Sequence, residues 1–445
     1  MMKKRNLCVI AVLGLMLGLG GCKLGDVDIN SSKFPDEKFL EYVKSYCDED
    51  SDGKLSAEEI EATQSLQLTS MGITSLKGIE VFTNLKILNC ADNRLTELDL
   101  PNNLKVNMIY ANGNQLTKVD VSKLEQLVYL KCGDNQLSEL DLSKNVALQN
   151  LEVSDNRLKH LDLSKNSELR TLECDNNPLT ELDVSHNLFL YILSCQNAQL
   201  TALDLTHNPM LYLLSCKGNG LSELDVSKCD WGIMVEADGN VKVDREDKDA
   251  GVGIAINETI FPDPVFLSYV LDVIDRDENG ILSKHEAEST IELKLSVDPD
   301  SGESKIKDLT GMDHFPYITY LDCSGNDLAE LDLSGNIYLE ELDCEGNRLT
   351  ELDLTNNRML VEVHCGDNQL TKLDVSKCER LNRFYCGNNQ LSELDCSNNT
   401  RLAILKCADN PLKKLDIRNC QKNLLLTVDD NGTVDIKYPK GSGRN

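Results

Sequence analysis

One interval governs this chain. Asn93, Asn114, Asn135, Asn156, Asn177 and Asn219 follow a period of 21, with Ala198 in the one slot the series skips. The same series restarts at Asn326 and runs through Asn347, Asn368, Asn389 and Asn410. Around each marker stands a version of Leu85–Leu100, of the form L-x-x-L-x-C-x-x-N-x-L-x-x-L-D-[VL]. That period and pattern predict an α/β solenoid of leucine-rich repeats with short parallel strands. A single coil cannot bury its own apolar face, so the arrays must stack and their ends must be covered.

In the first full coil, Leu85, Leu88, Cys90, Asn93, Leu95, Leu98 and Leu100 are the expected inward positions. The chain has 17 cysteines, which in an exported protein would suggest disulfides, yet the period argues against them. Cys90, Cys132, Cys174, Cys195 and Cys216 share one slot with Ala111 and Val153, and Cys323, Cys344, Cys365, Cys386 and Cys407 fill it in the second array. A slot that accepts Cys, Ala or Val is a small apolar position, so a ladder of buried thiols is expected. Cys229, Cys378 and Cys420 occupy another coil position, usually held by Asn. Each of the twelve coils also carries an Asp after its second Leu pair, from Asp99 to Asp416, and in ten of them Ser or Thr follows two residues later. Stacked at ~5 Å such charges repel unless local hydrogen bonds hold the anion, so a turn capped by Asp is expected.

Before each array lies a second motif. Phe34-Pro35-Asp36 opens a helix whose face is Phe39, Tyr42, Val43 and Tyr46, and the loop Asp48–Glu59 follows. Its spacing fits a twelve-residue EF-hand calcium loop: Asp48, Asp50 and Asp52 at positions 1, 3 and 5, Gly53 at 6, the Lys54 carbonyl at 7, Ser56 at 9 and Glu59 at 12. Calcium takes six to eight hard oxygens, and acids at alternate positions bring them to one centre. Phe261-Pro262-Asp263 repeats the opening, and Asp275, Asp277, Asn279, Gly280, Ile281, Ser283 and Glu286 repeat the loop at the same constant offset. Up to two structural calcium ions are therefore expected. The strand around Leu55 is expected to help close the repeat array, with Leu66–Leu76 as an atypical first coil. The alternating stretches around Asp238-Gly239 and Asn431-Gly432 read as β-hairpin caps at the C-terminal edges.

The expected order is thus a signal peptide (1–21), a tether (22–33), a cap (34–76), an array (77–229), a hairpin cap (230–243) and a linker (244–260). A second cap (261–308), a second array (309–420) and a hairpin cap with tail (421–445) follow. Lys3, Lys4 and Arg5 precede an apolar run from Leu7 to Leu19, a signal-peptide pattern too short for a confident span. Leu19-Gly20-Gly21-Cys22 looks like a bacterial lipoprotein processing site, which makes Cys22 the expected lipidated residue and lipid the only membrane attachment expected. With 74 acids against 45 Lys and Arg, a net charge of −29 argues against nucleic acid as a partner.

Side chains on the solvent face of the strands are where a repeat solenoid carries binding. In the first array the candidates are Ile87, Tyr110, Tyr129, Tyr191, Ile192, Tyr212 and Leu213, and in the second Tyr320, His364 and Tyr385 within a more acidic face. Phosphate loops, nucleophile elbows and HExxH sites are absent from the sequence, and Glu341 with Glu362 on an open face lacks the pocket an acid/base pair needs.

With these residues laid out, Phe34–Pro439 resembles the internalin-type branch of bacterial leucine-rich repeat surface proteins, and its Cys90–Cys216 and Cys323–Cys407 coils resemble the cysteine-ladder members. The resemblance implies an adhesin-like binder that uses the concave face, and no enzyme. Complete calcium ligand sets in both caps, two arrays and a lipid anchor are departures from it. The expectation is a monomeric lipoprotein of the outer membrane or cell surface that binds a protein, peptide or glycan. The alternative is an accessory subunit that scaffolds other envelope proteins.

Overall fold

The computed structural model describes residues 26–230, 232–246, 251–298, 301–302, 304–421, 423–429 and 434–439. The expected signal peptide and Cys22 lie outside these residues. The chain falls into two compact units, one built mainly on residues up to Leu203 and the other on residues from Asn240 onward; segments between Asp204 and Gly239 are divided between them.

Each coil contributes a strand of three residues, and successive strands pair in parallel with a shift of one period. Ile87–Asn89 pairs with Met108–Tyr110, and that strand with Tyr129–Lys131, always residue against equivalent residue. The series continues through Asn150–Glu152, Thr171–Glu173 and Ile192–Ser194. In the second unit Glu292–Lys294, Tyr320–Asp322, Glu341–Asp343, Glu362–His364, Arg383–Tyr385 and Ile404–Lys406 do the same. Alternation along a strand turns the middle residue inward, so Leu88, Ile109, Leu130, Leu321, Leu342 and Val363 are buried while their neighbours face solvent. All seven predicted inward residues of the first full coil are buried. The fold is a leucine-rich repeat solenoid.

The marker asparagines hold consecutive coils together. Asn156 Nδ2 donates to the carbonyls of Cys132 (3.0 Å) and Val153 (3.0 Å), one coil apart, and its Oδ1 accepts from the Leu137 amide at 2.8 Å. The turn aspartates behave as expected: the Ser143 amide donates to Asp141 Oδ1 at 2.9 Å, the Ser334 amide to Asp332 at 2.9 Å and the Thr355 amide to Asp353 at 2.9 Å. Both ladder sets of cysteines are buried and free. Burial pushes the Cys90 thiol up to about 12, which leaves it protonated and inert.

A second asparagine ladder lies in the slot where three cysteines were noted. Asn145 Nδ2 donates to the Val121 and Leu124 carbonyls at 3.0 and 2.9 Å, and Asn357 Nδ2 to those of Leu333 and Asn336 at 3.0 and 2.8 Å. Cys378 takes this place in the next coil, its Sγ 3.7 Å from the Leu354 and Asn357 carbonyls. Thiol and amide meet the same pair of carbonyls.

Three expectations are corrected. The closing segments are not hairpins: Met234–Glu236 joins the main sheet of the first array beyond Leu213–Ser215, whereas Lys242–Asp244 pairs in parallel with Glu223–Asp225 on the other side of the coil. Leu425–Thr427 and Asp435–Lys437 likewise add in parallel to Ile404–Lys406 and Lys414–Asp416. Each end is a further, degenerate coil, because the open edges of the last full coil offer more hydrogen bonds than a two-strand ribbon would. Trp231 and Asn431-Gly432 lie outside the described residues. The tether and linker are also shorter than read. Val27–Asp28 and Gly253–Ala255 are strands of the caps, described below.

The caps cover the first coil with helix. Asp36 caps Glu37–Tyr46 through one oxygen, accepting from the Lys38 and Phe39 amides at 3.0 Å each, and holds the Thr74 amide at 2.8 Å through the other. Asp263 repeats this with Val265, Phe266 and Lys307. Phe34 stacks edge-on against Phe39 at 5.7 Å and presses on Gly78, where φ is +103° and any Cβ would run into the ring. Gly311 meets Phe261 in the same way. The Tyr42 hydroxyl accepts from the Gln67 amide at 3.1 Å, so the cap satisfies an edge donor of the outermost strand. Among the described residues no helix is long and apolar enough to cross a membrane.

Candidate functional site

Two places in each unit hold residues with chemistry: the cap loop and the open face of the sheet. In the first loop the carboxylates of Asp48, Asp50 and Asp52 converge, with one oxygen of each within 4.8 Å of the others. Gly53 makes the turn at φ +85°, a region that suits glycine, and Asp48 accepts from the Asp52 and Gly53 amides at 3.2 and 3.1 Å. Glu59 sits at the third position of the next helix, where Ser56 donates to its Oε2 through both amide and hydroxyl at 2.8 Å and the Glu49 amide donates to its Oε1 at 2.7 Å. Burial would raise the Glu59 carboxyl, but the bonds from Ser56, Glu49 and Asp50 outweigh it and hold it below its usual range. Asp50 moves the other way: the Asp52 amide lowers it, yet slight desolvation and the charges of Asp52, Glu59 and Asp48 leave it raised. The donors are all hard oxygens, and the loop carries like charges that a divalent cation would neutralise.

The second loop repeats the turn but gathers a different set: Glu286, at position 12, joins its converging carboxylates, whereas Glu59 does not join those of the first loop. Asp275, Asp277 and Glu286 each place an oxygen within 4.8 Å of the others. Asp275 accepts from the Asn279 and Gly280 amides at 3.1 and 2.8 Å, and Asn279 Oδ1 accepts from the Ile281 amide at 2.6 Å. Ser283 and Glu286 form the capping box that Ser56 and Glu59 form in the first loop. The residues in both loops fit a calcium ion of the expected kind, with the backbone at Lys54 and Ile281 in the carbonyl position.

The sequence reading missed what steadies these loops. Leu55 does not help close the array: Val27 pairs with Leu55 and Asp28 with Lys54, antiparallel, and Ile254 pairs with Leu282. The amides of Ile29 and Ile256 donate to the carbonyls of Gly53 and Gly280 at 3.0 and 2.9 Å. An EF-hand loop needs a strand partner at its eighth position, and here the chain supplies one just upstream of the helix in both copies. Val27-Asp28-Ile29 and Ile254-Ala255-Ile256, set apart by the same offset as the loops, were the available signal. Ser65–Gln67, by contrast, does form the first coil, paired with Ile87–Asn89.

On the sheet of the first unit, Ile87, Met108 and Tyr129 stand in register in one column, and Tyr110 and Lys131 in the next. The structure brings Tyr110 and Tyr129 together, ring centroids 5.1 Å apart and planes tilted by 37°, with Lys131 Nζ 5.7 Å from the Tyr129 ring. Tyr191 precedes its strand and is 45% exposed, while Ile192 is half-buried in it. Tyr212 and Leu213 are half-buried at the start of Leu213–Ser215. On the second unit His364 stacks on Tyr385 at 4.1 Å and 24°, and its Nε2 lies 2.9 Å from Glu362 Oε1. Tyr320 lies apart from that stack, two strands away, with Lys294 Nζ 5.9 Å from its ring. Arg383, which the sequence reading passed over, pairs with Glu362 Oε2 at 2.8 Å.

No protein-family model matches the chain, and no curated protein does. Among solved structures it is similar to the functional domain of InlJ from Listeria monocytogenes, which includes a cysteine ladder: 26% identity over 88% of this chain and 78% of that one, TM-score 0.47. It is also similar to the internalin InlF of Listeria monocytogenes, at 18% identity over 91% of this chain and 97% of that one, TM-score 0.40. A leucine-rich repeat protein of Leptospira interrogans matches at 18% identity over 80% of this chain and 92% of that one, TM-score 0.36. The resemblance read from the coils, to cysteine-ladder internalins, is met among these neighbours.

Proposed function

We propose that the chain is a non-enzymatic cell-surface lipoprotein that binds a protein, peptide or glycan ligand on the open sheet faces of its arrays, with structural calcium in its caps. One observation carries the reading. Ile87, Met108 and Tyr129 form an apolar column on a solvated face, and Tyr110 joins Tyr129 beside it to make a two-ring platform. Rigid rings on stacked strands bury area on contact at little entropic cost, which suits a binding surface more than a solvated one. Catalysis would need acids converging in an enclosed pocket, whereas the residues named here stand on open strands.

The test is binding of the full chain to arrayed glycans and immobilised extracellular proteins, compared with Tyr110→Ala/Tyr129→Ala. Loss of two aromatic anchors should weaken the retained ligand by about 30-fold or more, the scale of a 2 kcal/mol hot spot. Equal retention by the variant would reject the first-array face. Attachment is tested separately: palmitate fed to expressing cells should label the chain, and Cys22→Ser should abolish both the label and recovery in the membrane fraction. Label that persists in Cys22→Ser would refute the anchor.

A further inference from the structure

The two arrays share one frame and differ in what they show to solvent. At one constant offset the inward positions keep their character: Leu88 corresponds to Leu321, Cys90 to Cys323 and Asn93 to Asn326. The outward positions do not. Met108 and Tyr129 correspond to Glu341 and Glu362, Asn89 and Tyr110 to Asp322 and Asp343, and Asn112 to Glu345. The strands set these acids in register, Asp322 opposite Asp343 and Glu341 opposite Glu362, at a strand spacing of ~4.8 Å.

The basic residues nearby already have partners. Arg383 pairs with Glu362, Lys294 with Glu292 at 2.5 Å, and Lys406 lies over the Tyr385 ring at 5.0 Å. Among the described residues no lysine or arginine pairs with Asp322, Glu341, Asp343 or Glu345, and the ion pair of Glu345 is with His364, at 4.0 Å. The acids feel one another. Burial, then the charges of Asp322 and Glu362, push the Asp343 carboxyl up against the Glu345 amide and His364, and burial with Asp343 and Asp367 pushes Glu345 up. Rings border the acids on both sides, Tyr320 on one and the His364 and Tyr385 stack on the other.

We propose that this face of the second array binds a cationic peptide segment, its lysine or arginine heads over Asp322, Glu341, Asp343 and Glu345 and its aliphatic stems against Tyr320 and the His364–Tyr385 stack. Charge complementarity selects the occupant, and long basic side chains supply both the head and the apolar stem that the face can take. This deepens the reading of the sheet faces as binding surfaces and rests on it.

The test is fluorescence anisotropy of a labelled nonapeptide with lysine at alternate positions, titrated with the full chain, and a glutamate peptide of the same length as reference. The lysine peptide should bind, and Asp322→Asn/Glu341→Gln/Asp343→Asn/Glu345→Gln should weaken it about tenfold or more. Two comparisons should leave it within about twofold of the parent, a change under ~0.5 kcal/mol. One is Glu97→Gln/Glu125→Gln/Glu139→Gln/Glu181→Gln, which removes as much charge from exposed positions elsewhere. The other is Tyr110→Ala/Tyr129→Ala. Equal weakening by the remote neutralisations would overturn the proposal in favour of general attraction to a chain of net charge −29. Failure of the lysine peptide to bind while the tyrosine-dependent ligand still binds would overturn it and leave the first-array reading standing. Failure of both would remove the two together.

Discussion

If the cap loops bind calcium, calcium at 100 times its dissociation constant should raise the midpoint of thermal unfolding by roughly 5–10 °C, and chelation should reverse the rise. The figure follows from linkage: binding only to the folded loop adds about 2.7 kcal/mol at that excess, and a unit of about 200 residues gains 2–4 °C per kcal/mol. The loops stand beside the edge at which each array begins. Each loop is bonded to a strand upstream, Val27–Asp28 or Gly253–Ala255, and leads into the helix and first coil that cover the solenoid edge. Asp50→Asn/Asp277→Asn separates the metal from the fold. Asp50 accepts from the Asp52 amide at 3.1 Å and Asp277 from the Asn279 amide at 3.3 Å, bonds that an asparagine oxygen keeps, while the exposed bond from Asn279 Nδ2 to the other Asp277 oxygen at 2.8 Å passes to water. Without calcium the double variant should be as stable as the parent or slightly more so, since a repelling charge has gone. With calcium it should lose most of the rise. The rise should also fade on acidification, because protonated ligands do not hold calcium. Calorimetry that shows no calcium-dependent shift in the parent, or the same shift in the variant, would end the calcium reading.

What could be read from the sequence divides by the range of the interaction that decides it. The period of 21 is local, and each Leu, Cys or Asn in it is placed by neighbours whose positions repeat; Leu88, Cys90 and Asn93 went where the pattern put them. The acidic cap loops are legible for the same reason, since the carboxylates that converge in each sit within twelve residues. Partner choice is not local. Val27 meets Leu55 across the whole first helix, and nothing near Val27 marks it as a strand except its β-branched run. At the C-terminal edges, Asp238-Gly239 is a good turn signal that did not make a hairpin. Two coil edges lay open there, and Met234–Glu236 and Lys242–Asp244 each took one. On the sheet faces the sequence identified exposed residues through the strand alternation. It could not say which rings meet, and Tyr110 with Tyr129 and His364 with Tyr385 emerged only from the register.

Asn156→Ala should destabilise the first unit by about 3 kcal/mol, whereas Asn357→Cys, in the second ladder, should change stability by less than about 1 kcal/mol. The contrast follows from what each side chain leaves behind. Asn156 is 7% exposed and serves the Cys132, Val153 and Ser154 carbonyls with its amide and the Leu137 amide with its oxygen. Alanine strips partners from several buried backbone groups in two coils at once, and each unmet group costs about 1–3 kcal/mol. The second ladder asks for less. Asn357 Nδ2 meets two carbonyls, but its Oδ1 is buried without a partner, and Asn103, Asn145, Asn166, Asn336 and Asn399 repeat that arrangement. A thiol gives up the unpartnered oxygen and keeps a weak donor toward the same carbonyls, as Cys378, Cys229 and Cys420 already do in this chain. The two effects oppose, and the exchange comes out close to neutral. Urea unfolding followed by circular dichroism measures both variants on one scale. If Asn357→Cys proved as costly as Asn156→Ala, the second ladder would have to be holding its coils through the amide oxygen as well. The substitution of cysteine for asparagine at three of its rungs would then lose the explanation offered by the shared carbonyls.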